Sequence, residues 1–266
     1  MSLGFTRDLL TIQSDIVFTI GGFPVSNSTL FSLFIALLFL GFGLVVVPRF
    51  KKIPGVFQSY IEMVYEGILG LINQVTQNAD LSKRLLPYVG SILIYFVVAN
   101  LIGIIPGLTS FTYDGVAVFR TPTTDMNGII GISLAVVLGI NYAAYKKGGL
   151  LKFLGIYFPL KNIATGFRKS ALDGAVALVE LFVGVLGVIG ELAKVASLTF
   201  RLFGNMFAGA ILTTMIVGAF AWVFPALWGL MNGFTSILQG VVYAILVTVY
   251  YTLGVPSDDE TAEQSS

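Results

Sequence analysis

The chain has 266 residues, 56% of them hydrophobic and only 11% charged, with a mean hydropathy of +0.90 and a formal net charge of +1. Soluble domains carry about 25% charged residues, so this composition excludes an ordinary water-facing surface and describes a polytopic membrane protein. The small net charge argues against a nucleic-acid partner. The absence of cysteine excludes disulfides and thiolate metal sites, and the absence of histidine removes the usual base near neutral pH.

In chain order, no basic region or small-residue cleavage site precedes the first apolar run, so no cleavable signal peptide is expected. That first run, Leu30 to Val47, ends at Pro48 before Arg49, Lys51 and Lys52. Residues 55–77 mix Glu62, Glu66, Asn73 and Gln74 with Phe57, Tyr60, Val64, Ile68 and Ile72, a pattern that suits an amphipathic helix in the membrane interface. Spans are predicted at Pro87–Ile105 and Met126–Ala144, with Asp125 as the N-cap of the second. Asp114 and Arg120, in the loop between them, read as solvated.

From Ala171 to Gly218 there is no proline and no turn cluster. That run of roughly 48 residues makes about 72 Å of helix, against a hydrocarbon core of about 30 Å. Either a hidden break divides it, or the helix is strongly tilted. A second run, Ala226 to Val255, pairs with it across Phe224 and Pro225.

The fold class is therefore all-α, a polytopic membrane protein with about five membrane helices and one interfacial helix, the last two long and tilted as a hairpin. Residues 1–29 form an N-terminal segment on the outer side. Residues 30–144 hold the peripheral membrane helices, with the interfacial helix near 55–77, and 145–170 form a cytoplasmic loop. Residues 171–255 are the hairpin, and 256–266 a disordered acidic tail. Eleven of the 15 Lys and Arg, from Arg49 to Lys169, fall on one side in this scheme, which puts the N-terminus outside and the C-terminus in the cytoplasm.

The first long helix carries Asp173, Glu180, Glu191, Lys194 and Arg201. A charge at the bilayer centre costs at least about 2.5–3.5 kcal/mol, so these residues need partners or water. At 100° per residue, Glu180 and Glu191 point within about 20° of each other, and Lys194, Arg201, Asn205 and Gly209 fall within roughly 60° of that direction. Such a stripe suits a helix facing water or a closely approaching partner. Arg201 stays protonated at any physiological pH, so it is a fixed charge that displaces a cation from a passing carboxylate and blocks a leak. On the second long helix, Asn232, Ser236, Gln239, Tyr243 and Tyr250 lie within about 40° of one direction, and an antiparallel hairpin places Gln239 opposite Arg201. Plainer readings stay open: an i,i+3 pair for Glu191 and Lys194, a snorkelling Arg201, and interhelical hydrogen bonds for the Asn232–Tyr250 face. No phosphate-binding loop, nucleophile elbow or metal-ligand spacing occurs, so no catalytic site, cofactor or metal is expected in this chain.

The segment Ser197-Leu-Thr-Phe-Arg-Leu-Phe-Gly-Asn-Met-Phe-Ala-Gly209 resembles the signature of subunit a of F-type ATP synthases, especially the bacterial form. Ile20–Ser28, Ile61–Glu66, Asn100–Pro106, Pro122–Asn127 and Glu191–Lys194 are similar to other stretches of that family. The resemblance implies a stator subunit whose tilted hairpin faces a rotating ring of c subunits, with b subunits of the peripheral stalk, other ATP synthase subunits and membrane lipid as further partners. It implies residence in the bacterial inner or plasma membrane. It also implies two ion half-channels, for protons or sodium, separated by Arg201, with Gln239 and Asn205 nearby. Many relatives carry Glu or His nine residues after the arginine, and often His in the last helix. Here those positions are Ala210 and Asn232. A relay then falls to Asp125, Asp114, Glu180 or water, with Asp173, Glu191, Lys194, Ser236 and Tyr243 as further lining candidates. Two other classes compete: a self-contained secondary transporter, and a membrane scaffold whose charges only pair.

Overall fold

The computed structural model describes residues 13–105, 111–113, 116–149, 171–219 and 223–255. Asp114 and the expected acidic tail lie outside these residues, as does most of the expected cytoplasmic loop. The elements in chain order are β1 (Ile16–Ile20), β2 (Phe23–Ser26), α1 (Asn27–Val46), α2 (Val56–Thr76), α3 (Ala79–Gly103), β3 (Thr112–Tyr113), β4 (Val116–Ala117), α4 (Met126–Gly148), α5 (Ala171–Ala219) and α6 (Val223–Gly254).

Among the described residues, five helices are long and apolar enough to cross a membrane: α1 and α3 to α6. The protein is a multi-pass membrane protein built almost wholly of helix. α2 is not among the five, because Glu62, Glu66 and Asn73 occupy one of its faces. Its apolar residues behave differently along its length: Ile68 and Ile72 are buried, whereas Phe57, Tyr60 and Val64 are exposed.

Several boundaries differ from the sequence-based expectation. α3 begins at Ala79 rather than Pro87, because Asn78 Oδ1 accepts the N–H groups of Asp80 and Leu81 and caps the helix eight residues earlier. Pro87 sits inside this helix, where its lack of an N–H leaves one carbonyl without its helical donor. α1 starts at Asn27 behind the Ser26 cap. α5 is an unbroken helix of 49 residues, so the hidden break does not exist. Pro225 lies in the first turn of α6, where its missing N–H has no intrahelical acceptor to serve. The two-stranded ribbons were not expected. Gly21 and Gly22, at φ +57° and +87°, supply the positive-φ pair that turns β1 into β2.

The chain divides into two compact units, Met1–Gly131 with Phe200–Thr248, and Ile132–Thr199 with Val249–Ser266. In the first unit, Phe31, Ile35 and Ala99 form a core flanked by Phe39, Tyr95, Ile102 and Phe119. α2 packs on α3 and α6 around Ile68, Ile72, Val89, Leu93 and Ala244. In the second unit, α4 buries Val136, Val137, Ile140 and Ala144.

Candidate functional site

Within the first unit, α5 and α6 run antiparallel with a register set by side-chain shape. The indole Nε1–H of Trp228 donates to Thr213 Oγ1 at 3.1 Å. Gly209 faces Asn232 so closely that a Cβ there would stand 2.6 Å from Asn232 Oδ1. Ser236 Oγ lies 3.6 Å from Met206 Sδ and donates to Asn232 O at 2.8 Å. Each step back along α5 is matched by a step forward along α6. Continued along both helices, this register brings Arg201 level with Gly240, one residue from Gln239.

Arg201 is exposed, and none of the described residues forms an ion pair or hydrogen bond with it. Gly204 and Ala208, on the same face, are exposed too, and Asn205 beside them is partly exposed. Leu202, Met206 and Gly209 turn inward. Gly209 therefore belongs to the helix–helix contact rather than to the open stripe. The arginine stands among small side chains that let another backbone approach it. The amide nitrogen of Gln239 is buried and has no hydrogen-bond partner among the described residues. Tyr243 is fully buried, its ring 4.8 Å from that of Phe96 and edge-on to it.

A second polar group lies where α1 and α4 begin. Asp125 is 3% exposed; its Oδ2 accepts Ser28 Oγ–H at 2.5 Å and its Oδ1 accepts the Asn127 N–H at 3.2 Å. The expected cap is present, joined to a buried serine that the sequence reading did not single out. Thr123 Oγ1 donates to Asn100 Oδ1, and Asn27 Nδ2 to Ala117 O at 3.2 Å. Arg120 corrects the expectation of a solvated loop. It is 4% exposed, and its guanidinium donates to Gln13 O at 2.8 Å, Thr124 O at 3.0 Å and Thr124 Oγ1 at 3.4 Å. Thr124 and the distant Gln13 supply carbonyls in place of water. Buried asparagines beside threonines in an apolar segment were the signal available for this network.

In the second unit, Asp173 and Glu180 are exposed along α5. Glu191 and Lys194 form the i,i+3 ion pair left open above, at 2.6 Å. Among the described residues no group of three or more acidic side chains is arranged to hold a metal ion.

The family described as ATP synthase A chain matches residues 29–252. ATP synthase subunit a of Desulforamulus reducens is 29% identical over 261 residues, covering 94% of this chain and 87% of that protein. ATP synthase subunit a 2 of a Picosynechococcus species is 26% identical, covering 89% of each chain. The sodium-ion-specific ATP synthase subunit a of Propionigenium modestum is 25% identical, covering 91% of this chain and 78% of that protein. Because the family match spans residues 29–252, most of the chain with Asp125 and Arg201 inside it, the chain belongs to the ATP synthase A chain family.

Proposed function

We propose that this chain is the ion-translocating stator subunit of a rotary ATP synthase, with Arg201 as the fixed charge between two half-channels against a rotating c-ring. One observation carries the reading: a permanently charged guanidinium on a long apolar helix, exposed among small residues and without an ion-pair or hydrogen-bond partner among the described residues. A partner that brings a carboxylate past it completes the pair. As the loaded carboxylate approaches, the guanidinium competes for it and its proton or sodium ion departs. Because Arg201 cannot neutralise, an ion cannot pass directly from one half-channel to the other.

Gln239, one residue from the level of Arg201, carries a buried amide nitrogen with no hydrogen-bond partner among the described residues, a neutral donor that a side-chain rotation would turn toward the passing carboxylate. Asn205, Asn232 and Ser236 supply neutral polar lining. Asp125, Glu180 and Asp173 are the acidic candidates for passing the ion, since Ala210 and Asn232 hold no titratable group. The positive-inside rule, applied to the basic residues between Arg49 and Lys169, supports an N-terminus outside and a C-terminus in the cytoplasm, and the family resemblance supports a bacterial inner or plasma membrane. The b subunits of the peripheral stalk hold the chain stationary. Arg201→Ala in the assembled enzyme tests the reading. Coupled ATP synthesis in membrane vesicles is expected to fall to background with normal assembly. Robust synthesis by that variant would falsify the assignment.

A further inference from the structure

Glu191 and Lys194 lie midway along α5, where an unpaired charge is costly in lipid. Their side chains are only 21% and 24% exposed, and Lys194 Nζ sits 2.6 Å from Glu191 Oε1. The other carboxylate oxygen, Oε2, accepts from Nδ2 of Asn141 on α4 at 3.2 Å. The same ammonium stands 5.6 Å from the centre of the Tyr250 ring on α6. Each charge is thus held from within α5 and from one further helix of the same unit. A relay group exchanges its partners during every turnover. Here an exchange would unfasten α4 from α5, or α6 from α5.

We propose that Glu191 and Lys194, with Asn141 and Tyr250, form a positioning clamp that fixes the rotation of α5 about its own axis and carries no ion. Lys194 precedes Arg201 by seven residues, two helical turns that return to within about 20° of the same direction. The two residues share a face of one continuous helix, so the test reads the effect of the clamp through the channel function assigned to Arg201. This inference rests on the channel reading of Arg201.

The test uses the assembled enzyme in inverted membrane vesicles, scoring ATP-driven ion pumping per assembled complex and its pH profile. Glu191→Gln and Lys194→Gln are each expected to cut pumping about tenfold, since either leaves a lone charge. The exchanged pair, E191K with K194E, is expected to recover pumping to about half the parental value. Recovery is incomplete because a carboxylate at position 194 loses the attraction of the Tyr250 ring. Asn141→Ala, which leaves both charges in place, is expected to lose about half of the pumping. In all variants that pump, the pH profile keeps its parental position. The clamp is overturned if Glu191→Gln pumps normally, if it displaces the pH profile, or if the exchanged pair is no better than the single variants. Where a single variant assembles poorly, recovery of assembly by the exchanged pair supports the clamp, and failure to recover overturns it. Arg201→Ala run in parallel separates the two ideas: pumping by that variant sinks the channel reading, whereas a failed exchange beside an inactive Arg201→Ala sinks the clamp alone.

Discussion

Arg120 and Arg201 belong to the same compact unit and carry the same charge, yet the chain treats them in opposite ways. Arg120 is buried and donates to two backbone carbonyls and a threonine hydroxyl. Arg201 is exposed on an apolar helix and has no described partner. A charge that the chain satisfies internally fixes a structure. A charge left open belongs to something that arrives from outside, and small neighbours such as Gly204 and Ala208 keep its approach clear.

The same substitution at both positions breaks or sustains this contrast most strongly. Arg201→Gln is expected to abolish coupled synthesis while the amount of assembled subunit stays near the parental level, because no hydrogen bond or ion pair with a described residue is lost. Arg120→Gln is expected to do the reverse, reducing assembled subunit severalfold. Two carbonyls would be left without the guanidinium, at a cost of about 1–3 kcal/mol for each unsatisfied group. Immunoblots of membranes, read beside vesicle ATP synthesis, separate the two outcomes. Equal loss of protein in both variants would end the contrast.

Asp125 sharpens it, because one carboxylate serves as a helix cap and is a candidate to pass an ion. Asparagine caps about as well as aspartate, whereas alanine costs about 1 kcal/mol. Asp125→Ala is therefore expected to lower the thermal midpoint of the purified complex while Asp125→Asn leaves it nearly unchanged. If Asp125 also passes protons, both variants lose pumping. Normal pumping by Asp125→Asn would confine this residue to its structural task.

Much of this arrangement was legible in the sequence because apolar length and fixed charge act locally. The runs behind α1, α4, α5 and α6, the amphipathic pattern of α2 and the presence of a fixed charge at Arg201 follow from residue order alone. What escaped depended on partners distant in the chain. Pro87 resembled a helix start because the polar turn before it, with Lys83 and Arg84, looked unlike a span, and only the Asn78 cap reveals the earlier beginning. Arg120 looked solvated because its acceptors include Gln13, 107 residues away. Angular periodicity also grouped Gly209 with Arg201, although the structure turns Gly209 inward against Asn232.

That last difference yields the smallest expected effect and a direct check of the hairpin register. A methyl group at Gly209 would stand 2.6 Å from Asn232 Oδ1 and 3.3 Å from its Cγ, closer than these atoms tolerate. The amide can turn to relieve part of the clash, but Cγ at 3.3 Å must shift as well. Gly209→Ala is thus expected to cost about 1–3 kcal/mol of packing energy, seen as a lowered thermal midpoint with partial activity. Shortening the partner should relieve it: Asn232→Ala in the same chain vacates the space that the new methyl needs. Recovery of the midpoint in the double variant beyond the sum of the single effects would tie Gly209 to Asn232, and through that register Arg201 to the level of Gln239. Additive losses would mean that the two helices meet in another register, and Gln239 would then have no reason to be paired with Arg201.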